Sequence, residues 1–366
     1  MSPSLRLTAG KTDGLSHRHW RCRLSRTFFN PWAAGAKICL ISIFRKEVMV
    51  PQVCEEADLK YRFSGHQTFA FRYGWLEKGV RGIAESPTLF SDDDALVHLG
   101  VGKNMVDSIR HWCLATQLLE VDSDVERDSG RLLRVTGVGR QLLLAKGWDP
   151  FVQDDATLWL LHWLLVSNPA IGTTWQILFS LFHRLDFTKR ELVDYLLLFV
   201  EKESLRVRKS VIVRDVDCFL RTYVRGTSGK KTGIAEESFD CPLHELNLIQ
   251  LTPDGELYRF SVGTKPSLPA AVFGYALLEY LGRARAGSTA GPSTMSIQEC
   301  TYGAGSPGQA FKLDENSLIE YVEELEDVSK GAIVLDETAG LKQIYQRRKQ
   351  KPMDLLKDYY CGIGAR

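Results

Sequence analysis

Between Ser91 and Gln141 the spacing of apolar positions changes twice, and the expected elements change with it. Ala95–Leu99 reads as a short helix, with N-cap oxygens from Ser91 and Asp92–Asp94 and a left-handed stop at Gly100. A second helix, Gly102–Leu119, places Val101, Met105, Ile109, Trp112 and Cys113 on one face. Lys103, Asn104, Asp107, Ser108, Arg110 and His111 fall on the other. Leu118–Val121 and Arg131–Val135 then read as strands around the polar tip Asp122–Gly130. Thr136 caps a closing helix, in which Gly139 permits close packing. This is the order of a winged helix-turn-helix, whose second helix needs an apolar back and a front of donors for phosphates and base edges. Asp107 on that front repels phosphate and the tip is acidic, so protein docking stands beside DNA contact as a use for the module.

The flanking patterns give shorter elements. Phe63–Trp75 interleaves aromatics with His66 and Arg72. That fits bases and phosphate, and equally an extended segment burying one face. A helix follows over Leu76–Ala84. Leu158–Phe182 contains no Asp, Glu, Lys or Arg, but Ser167-Asn-Pro169 and Gly172-Thr-Thr174 break it into two helices too short to span a membrane. Asp154 or Asp155 caps the first of these, Thr173 or Thr174 the second, and His162 and His183 read as core histidines. Thr188-x-x-Glu191 is a capping box opening the helix Leu192–Val200. With the helix Val213–Tyr223 it makes a second helix-turn-helix with Arg214, Arg221 and Arg225 as phosphate contacts, or else a solvated charged face. Pro253-Asp-Gly255 turns Leu248–Thr252 back into Leu257–Phe260. Beyond it come a helix at Ala270–Leu281, a loose loop at 284–292, a helix at Ser317–Val328 capped near Asp314, a strand at Ala332–Leu335 and a helix from about Leu341.

The expected fold is mainly α with small β-hairpins (α+β): an N-terminal winged helix-turn-helix, then a helical domain with a second winged-helix-like unit as its candidate elaboration. The boundaries are 1–55, a basic extension; 56–149, the winged helix; 150–283, helices with a hairpin; and 284–366, a C-terminal α/β segment. Residues 1–48 cluster Arg18, Arg21, Arg23 and Arg26, and read as a basic arm, a leader, or upstream sequence before a start at Met49.

Composition narrows the function. The 366 residues carry 46 Lys and Arg against 45 Asp and Glu, a net charge of +1, so local patches must carry any DNA affinity. The 8 cysteines are scattered without a Cys-x-x-Cys pair, which excludes a zinc ribbon and makes a reducing cytoplasm the expected setting. Gly100-Val-Gly102-Lys103 fails as a phosphate loop, because Val97 and Asn104 replace the required glycine and hydroxyl. Gly303-x-Gly305-x-x-Gly308 matches a dinucleotide fingerprint in letters only, with Pro307 inside it. No spaced acidic pair followed by Glu-x-Lys, nor a His-Asn-His pattern, marks a nuclease.

Four stretches together resemble the DUF4007 family: Phe63-Ser-Gly-His-Gln-Thr-Phe-x-x-Arg-Tyr-Gly-Trp75, Leu99-Gly-Val-Gly-Lys-Asn-Met-Val-x-Ser-Ile-Arg-x-Trp112, Asp240-Cys-Pro-Leu243 and Ser306-Pro-Gly-Gln-Ala-Phe-Lys-Leu313. The resemblance covers Tyr61 to Tyr360, and it implies a bacterial DNA phosphorothioation system for phage defence. It further implies the DNA-handling or nicking component, with sulfur-transfer and ATPase proteins as partners and Mg²⁺ or Mn²⁺ as the cofactor of any nicking step. No catalytic residues carry over. Under this reading Lys103, Asn104, Ser108 and Arg110 lie along the major groove of double-stranded DNA, and His66 and Arg72 add phosphate contacts. A non-enzymatic adaptor is the alternative.

Overall fold

The computed structural model describes residues 61–122, 132–225, 241–285, 294–338 and 340–363; the N-terminal extension, the wing tip and the 284–292 loop fall wholly or mostly outside them. The chain from Glu55 onward clusters as one unit, and its fold is α+β, helices joined to small antiparallel sheets. Its first part runs α1 (Trp75–Glu85), α2 (Ala95–Leu99), α3 (Lys103–Ala115), β1 (Leu119–Val121), β2 (Leu133–Val135) and α4 (Gly137–Leu143). Gly100 ends α2 at φ 63, as its missing Cβ allows. Asp94 precedes α2 but makes no side-chain cap; its Oδ2 lies 3.1 Å from His98 Nε2 instead. Thr136 Oγ1 accepts from Gly139 N at 3.1 Å, and a Cβ on Gly139 would lie 2.3 Å from the Leu118 carbonyl oxygen. Helix α3 stops at Ala115, earlier than its apolar pattern implies, because Gln117 turns left-handed at φ 54 and the chain extends into β1.

Next come α5 (Asp155–Val166), α6 (Thr173–Ser180), β3 (Asp186–Phe187), α7 (Lys189–Lys202), α8 (Lys209–Tyr223), β4 (Ile249–Leu251) and β5 (Tyr258–Phe260). The last part holds α9 (Ala270–Arg285), β6 (Thr294–Ser296), α10 (Ile297–Tyr302), α11 (Pro307–Phe311), α12 (Glu315–Val328), β7 (Ile333–Thr338), β8 (Leu341–Gln346) and α13 (Pro352–Ile363). Leu341–Gln346 is thus a strand, not the start of a helix. It turns back from β7 through Gly340 at φ 78 and buries only Ile344, a pattern without a legible period.

The sheets repeat one arrangement. Strands β3, β4 and β5 lie in the order β3-β5-β4, and β6, β7 and β8 in the order β6-β8-β7. In both, the first strand pairs with the third, which sits in the middle. The first part has the same design in miniature: Leu133 N of β2 donates to Pro87 O at 3.0 Å, so β2 lies between β1 and the segment joining α1 to α2.

Helix α5 explains the uncharged block. Its residues from Ala156 to Val166 are all buried, and it packs on α6, α9 and α11. No helix among the described residues is long and apolar enough to cross a membrane. Asp154 Oδ1 caps α5 through Ala156 N at 2.8 Å, whereas Gly172 precedes α6 and Thr173 Oγ1 turns back to Pro169 O. His162 is a core histidine, its ring nitrogens 2.8 Å from Tyr223 Oη and from Ala310 O. His183 is not: it is exposed beyond the end of α6. Helix α13 lies against α9, and Tyr360 Oη reaches Thr157 Oγ1 of α5 at 2.9 Å.

Candidate nucleic-acid interface

The front of α3 is smaller than its sequence pattern implies. Lys103, Asn104 and Asp107 are exposed and Arg110 is half-buried, but Ser108 and His111 lie on the buried side. They are covered by Ser64–Phe69, a loop whose conformation is unusual. Ser64, Gly65, Gln67 and Thr68 have φ of 71, 109, 48 and 67, a left-handed run that non-glycine residues rarely hold without support.

Asp215 on α8 provides that support. Its oxygens accept from Ser64 N at 3.0 and 3.1 Å, from Thr174 Oγ1 at 2.9 Å and from His66 Nε2 at 3.0 Å. His66 Nδ1 accepts from Thr68 N at 3.0 Å, so the ring proton sits on Nε2 and is donated to Asp215. Ser108 Oγ donates to His66 O at 2.9 Å, and Trp112 Nε1 to Phe69 O at 2.9 Å. The loop is therefore pinned between α3, α6 and α8. This corrects the placement of His66 and Ser108 on a groove-facing surface. Both are buried and engaged, and their role is to hold the loop.

His111 completes the buried cluster. Its Nε2 has no hydrogen-bond partner, and burial first, then His66, Arg62 and Arg110, hold its pKa well below the usual imidazole range. Its ring is neutral, and its Nδ1 would lie 2.6 Å from a Cβ on Gly65. Arg110 is shifted down by burial and by Arg62, and upward by Asp107. Arg72 lies over Phe69 and Trp75, 5.9 and 5.5 Å from the ring centroids, so its guanidinium packs on aromatic faces.

What reaches solvent is Lys103 and Asn104 in the first turn of α3, with Arg62 and Gln67 on the loop. Gln67 Nε2 lies 3.4 Å from Asp107 Oδ2, which occupies part of the acidic group on that face. Gly102 begins α3 without a side-chain cap, leaving first-turn amides for an anion. On its far side the loop meets α8, where Arg221 Nη2 donates to Thr68 O at 2.6 Å. Nothing in the sequence pattern of α8 singled out Asp215, because its partners are distant in the chain.

Cys113, Cys218, Cys241 and Cys300 are buried and form no disulfide, and burial raises the pKa of Cys113, Cys218 and Cys300. Among the described residues no three His, Cys, Asp or Glu side chains gather as a metal site.

The DUF4007 family, described as a protein of unknown function, matches residues 63–360. A crystal structure of magnesium ion-bound SspB is similar over 83% of this chain and 89% of that one, with 31% identity and a TM-score of 0.72. A second SspB crystal structure has 30% identity and a TM-score of 0.71 over the same shares. No curated protein matches the chain.

Proposed function

The chain belongs to the DUF4007 family, and from that premise we propose that it is the DNA-binding component of a bacterial phosphorothioation-type modification and defence system. Residues 75–143 are then a winged helix with α3 as the recognition helix. The observation that carries this reading is the Leu133 N to Pro87 O bond: it ties β2 to the segment between α1 and α2, the place where a winged helix has its first strand. Lys103 and Asn104 on the exposed end of α3 are the duplex contacts, and Arg62 and Arg110 raise the potential around them. Membership of a phosphorothioation system rests on the four motifs named above.

Duplex affinity measured against salt tests the binding role. Phosphate contacts give a log–log slope of roughly −0.9 each, and Lys103→Ala should flatten it by about one contact. An unchanged slope removes Lys103 from the interface. The magnesium ion of the related SspB structure supports running supercoiled plasmid with Mg²⁺ and Mn²⁺ beside it. Open circles that require the metal would add nicking to the role; intact plasmid would leave binding alone.

A second reading, a protein adaptor, is favoured by α2, where Leu96 and Val97 are 40% and 81% exposed beside α3. Duplex binding that is absent at every salt concentration would favour it.

A further inference from the structure

The two complete three-stranded sheets share an order with the miniature first one, and in each a helical pair or cluster lies between the first strand and the closing hairpin. The helix just before the last two strands differs in charge between them. In α12 it is acidic, exposing Glu320, Glu323, Glu324 and Asp327. In α8 the outer face carries exposed Ser210, Arg214 and Arg221 with half-buried Asp217, spaced by 4, 3 and 4 residues; the helix ends at Tyr223, and exposed Arg225 follows the extended Val224. The acidic member of this stripe is neutralised, since Asp217 Oδ1 lies 2.5 Å from Lys189 Nζ of α7. Thr68, Lys189, Arg214, Arg221 and Tyr258 border a cleft of about 370 Å³ there.

We propose that α8 and the residues just past its C-terminus form a second phosphate-contact surface for the same duplex, with Arg214 on the helix and Arg225 beyond its end as the backbone contacts. The proposal rests on the reading of the chain as a duplex-binding protein. The two surfaces are joined by two adjacent residues: Gln67 touches Asp107 of α3, and Thr68 accepts from Arg221 of α8. A strand that leaves α3 over Gln67 therefore meets the cleft next. Arg221 is bound to the loop and orients it, so the contacts are the arginines before and after it in sequence: Arg214, whose Nε donates to Ser210 O of its own helix at 3.3 Å, and Arg225. Helix α12 repels phosphate and takes no part.

The test compares the full chain, Lys103→Ala, and the double variant Arg214→Ala/Arg225→Ala, each on duplexes of about 10 and about 20 base pairs over a range of salt. The double variant should lose about 1.8 from the salt slope, two contacts at roughly 0.9 each, and should lose the affinity gained from the longer duplex. Arg214→Lys/Arg225→Lys should restore both, which a change in folding would not. A double variant whose slope and length dependence equal those of the full chain, while Lys103→Ala flattens the slope, would overturn the α8 assignment alone. No salt-dependent binding by the unaltered chain would overturn it together with the reading it rests on.

Discussion

His66 Nε2 donates to Asp215 Oδ1 at 3.0 Å across 149 residues of sequence, and so a buried carboxylate on α8 fixes the loop that covers α3. Asp215→Ala would leave the amide of Ser64, the Nε2–H of His66 and the hydroxyl of Thr174 without their acceptor. Each orphaned buried donor costs about 1–3 kcal/mol, so the unfolding midpoint in urea should fall by the equivalent of about 3 kcal/mol or more. A loss under about 1 kcal/mol would show that water replaces the carboxylate.

Gly65→Ala should damage the same loop by another route. Its φ of 109 is strained for any L side chain, and the added Cβ would meet His111 Nδ1 at 2.6 Å. The two effects together should destabilise by roughly 2–4 kcal/mol. Adding His111→Ala should recover the steric part only. Full recovery in the double variant, read by thermal melting, would show that the backbone angle costs nothing.

Lys312 gives the molecule a stability that rises in mild alkali. Its Nζ donates to Phe179 O at 2.7 Å and lies 4.4 Å from the Phe260 ring centroid, yet burial lowers its pKa from 10.5 to about 7. Between these values the unfolded chain binds a proton that the folded one does not, so stability climbs as pH rises from about 7 towards 10.5. One proton sets a limiting slope of about 1.4 kcal/mol per pH unit. The carbonyl and the aromatic rings favour the charged form, so the measured slope should fall below that limit. Lys312→Met should remove it, and equal slopes in both proteins would exclude Lys312 as the source.

His162 acts on the acid side. Burial lowers its pKa from 6.5 to about 3, while Nδ1 faces Tyr223 Oη and Nε2 faces Ala310 O. The unfolded chain takes up the proton first, so stability should be lost as pH falls below about 6.5 and continue falling to about 3. His162→Gln keeps one donor and one acceptor without titrating. Its acid-unfolding midpoint should shift to lower pH, and a midpoint identical to the unaltered protein's would assign acid sensitivity to other groups.

Local chemistry is readable where one short stretch contains the whole interaction, although the caps expected before α2 and from Thr173 do not form. The Thr136, Asp154, Thr188 and Asp314 caps each bind an amide within three residues, and their oxygens sit where the sequence places them. Strands β3 and β6 escaped because two and three residues carry no period, and their partners lie on β5 and β8. Ser108 and His111 were assigned to the outer face of α3 because polarity usually marks exposure. Ser108 is buried with its hydroxyl bonded to His66 O, a partner that helical spacing cannot reveal. For the same reason the surface that remains outside, Lys103 and Asn104, was legible, and the scaffold behind it was not.

The link from Tyr360 to Thr157 bears on the order in which the chain can mature. Hairpins such as β7–β8 close between near neighbours, but this hydroxyl pair joins residues 203 apart, and Tyr359 Oη reaches Asp154 from 205 residues away at 3.2 Å. A nascent chain can thus form its earlier sheets first, yet α9, against which α13 packs, keeps one flank open until α13 has been made. Slow closure of so long a loop exposes an apolar helix during that wait. Synthesis that stalls before α13 would leave this surface to chaperones.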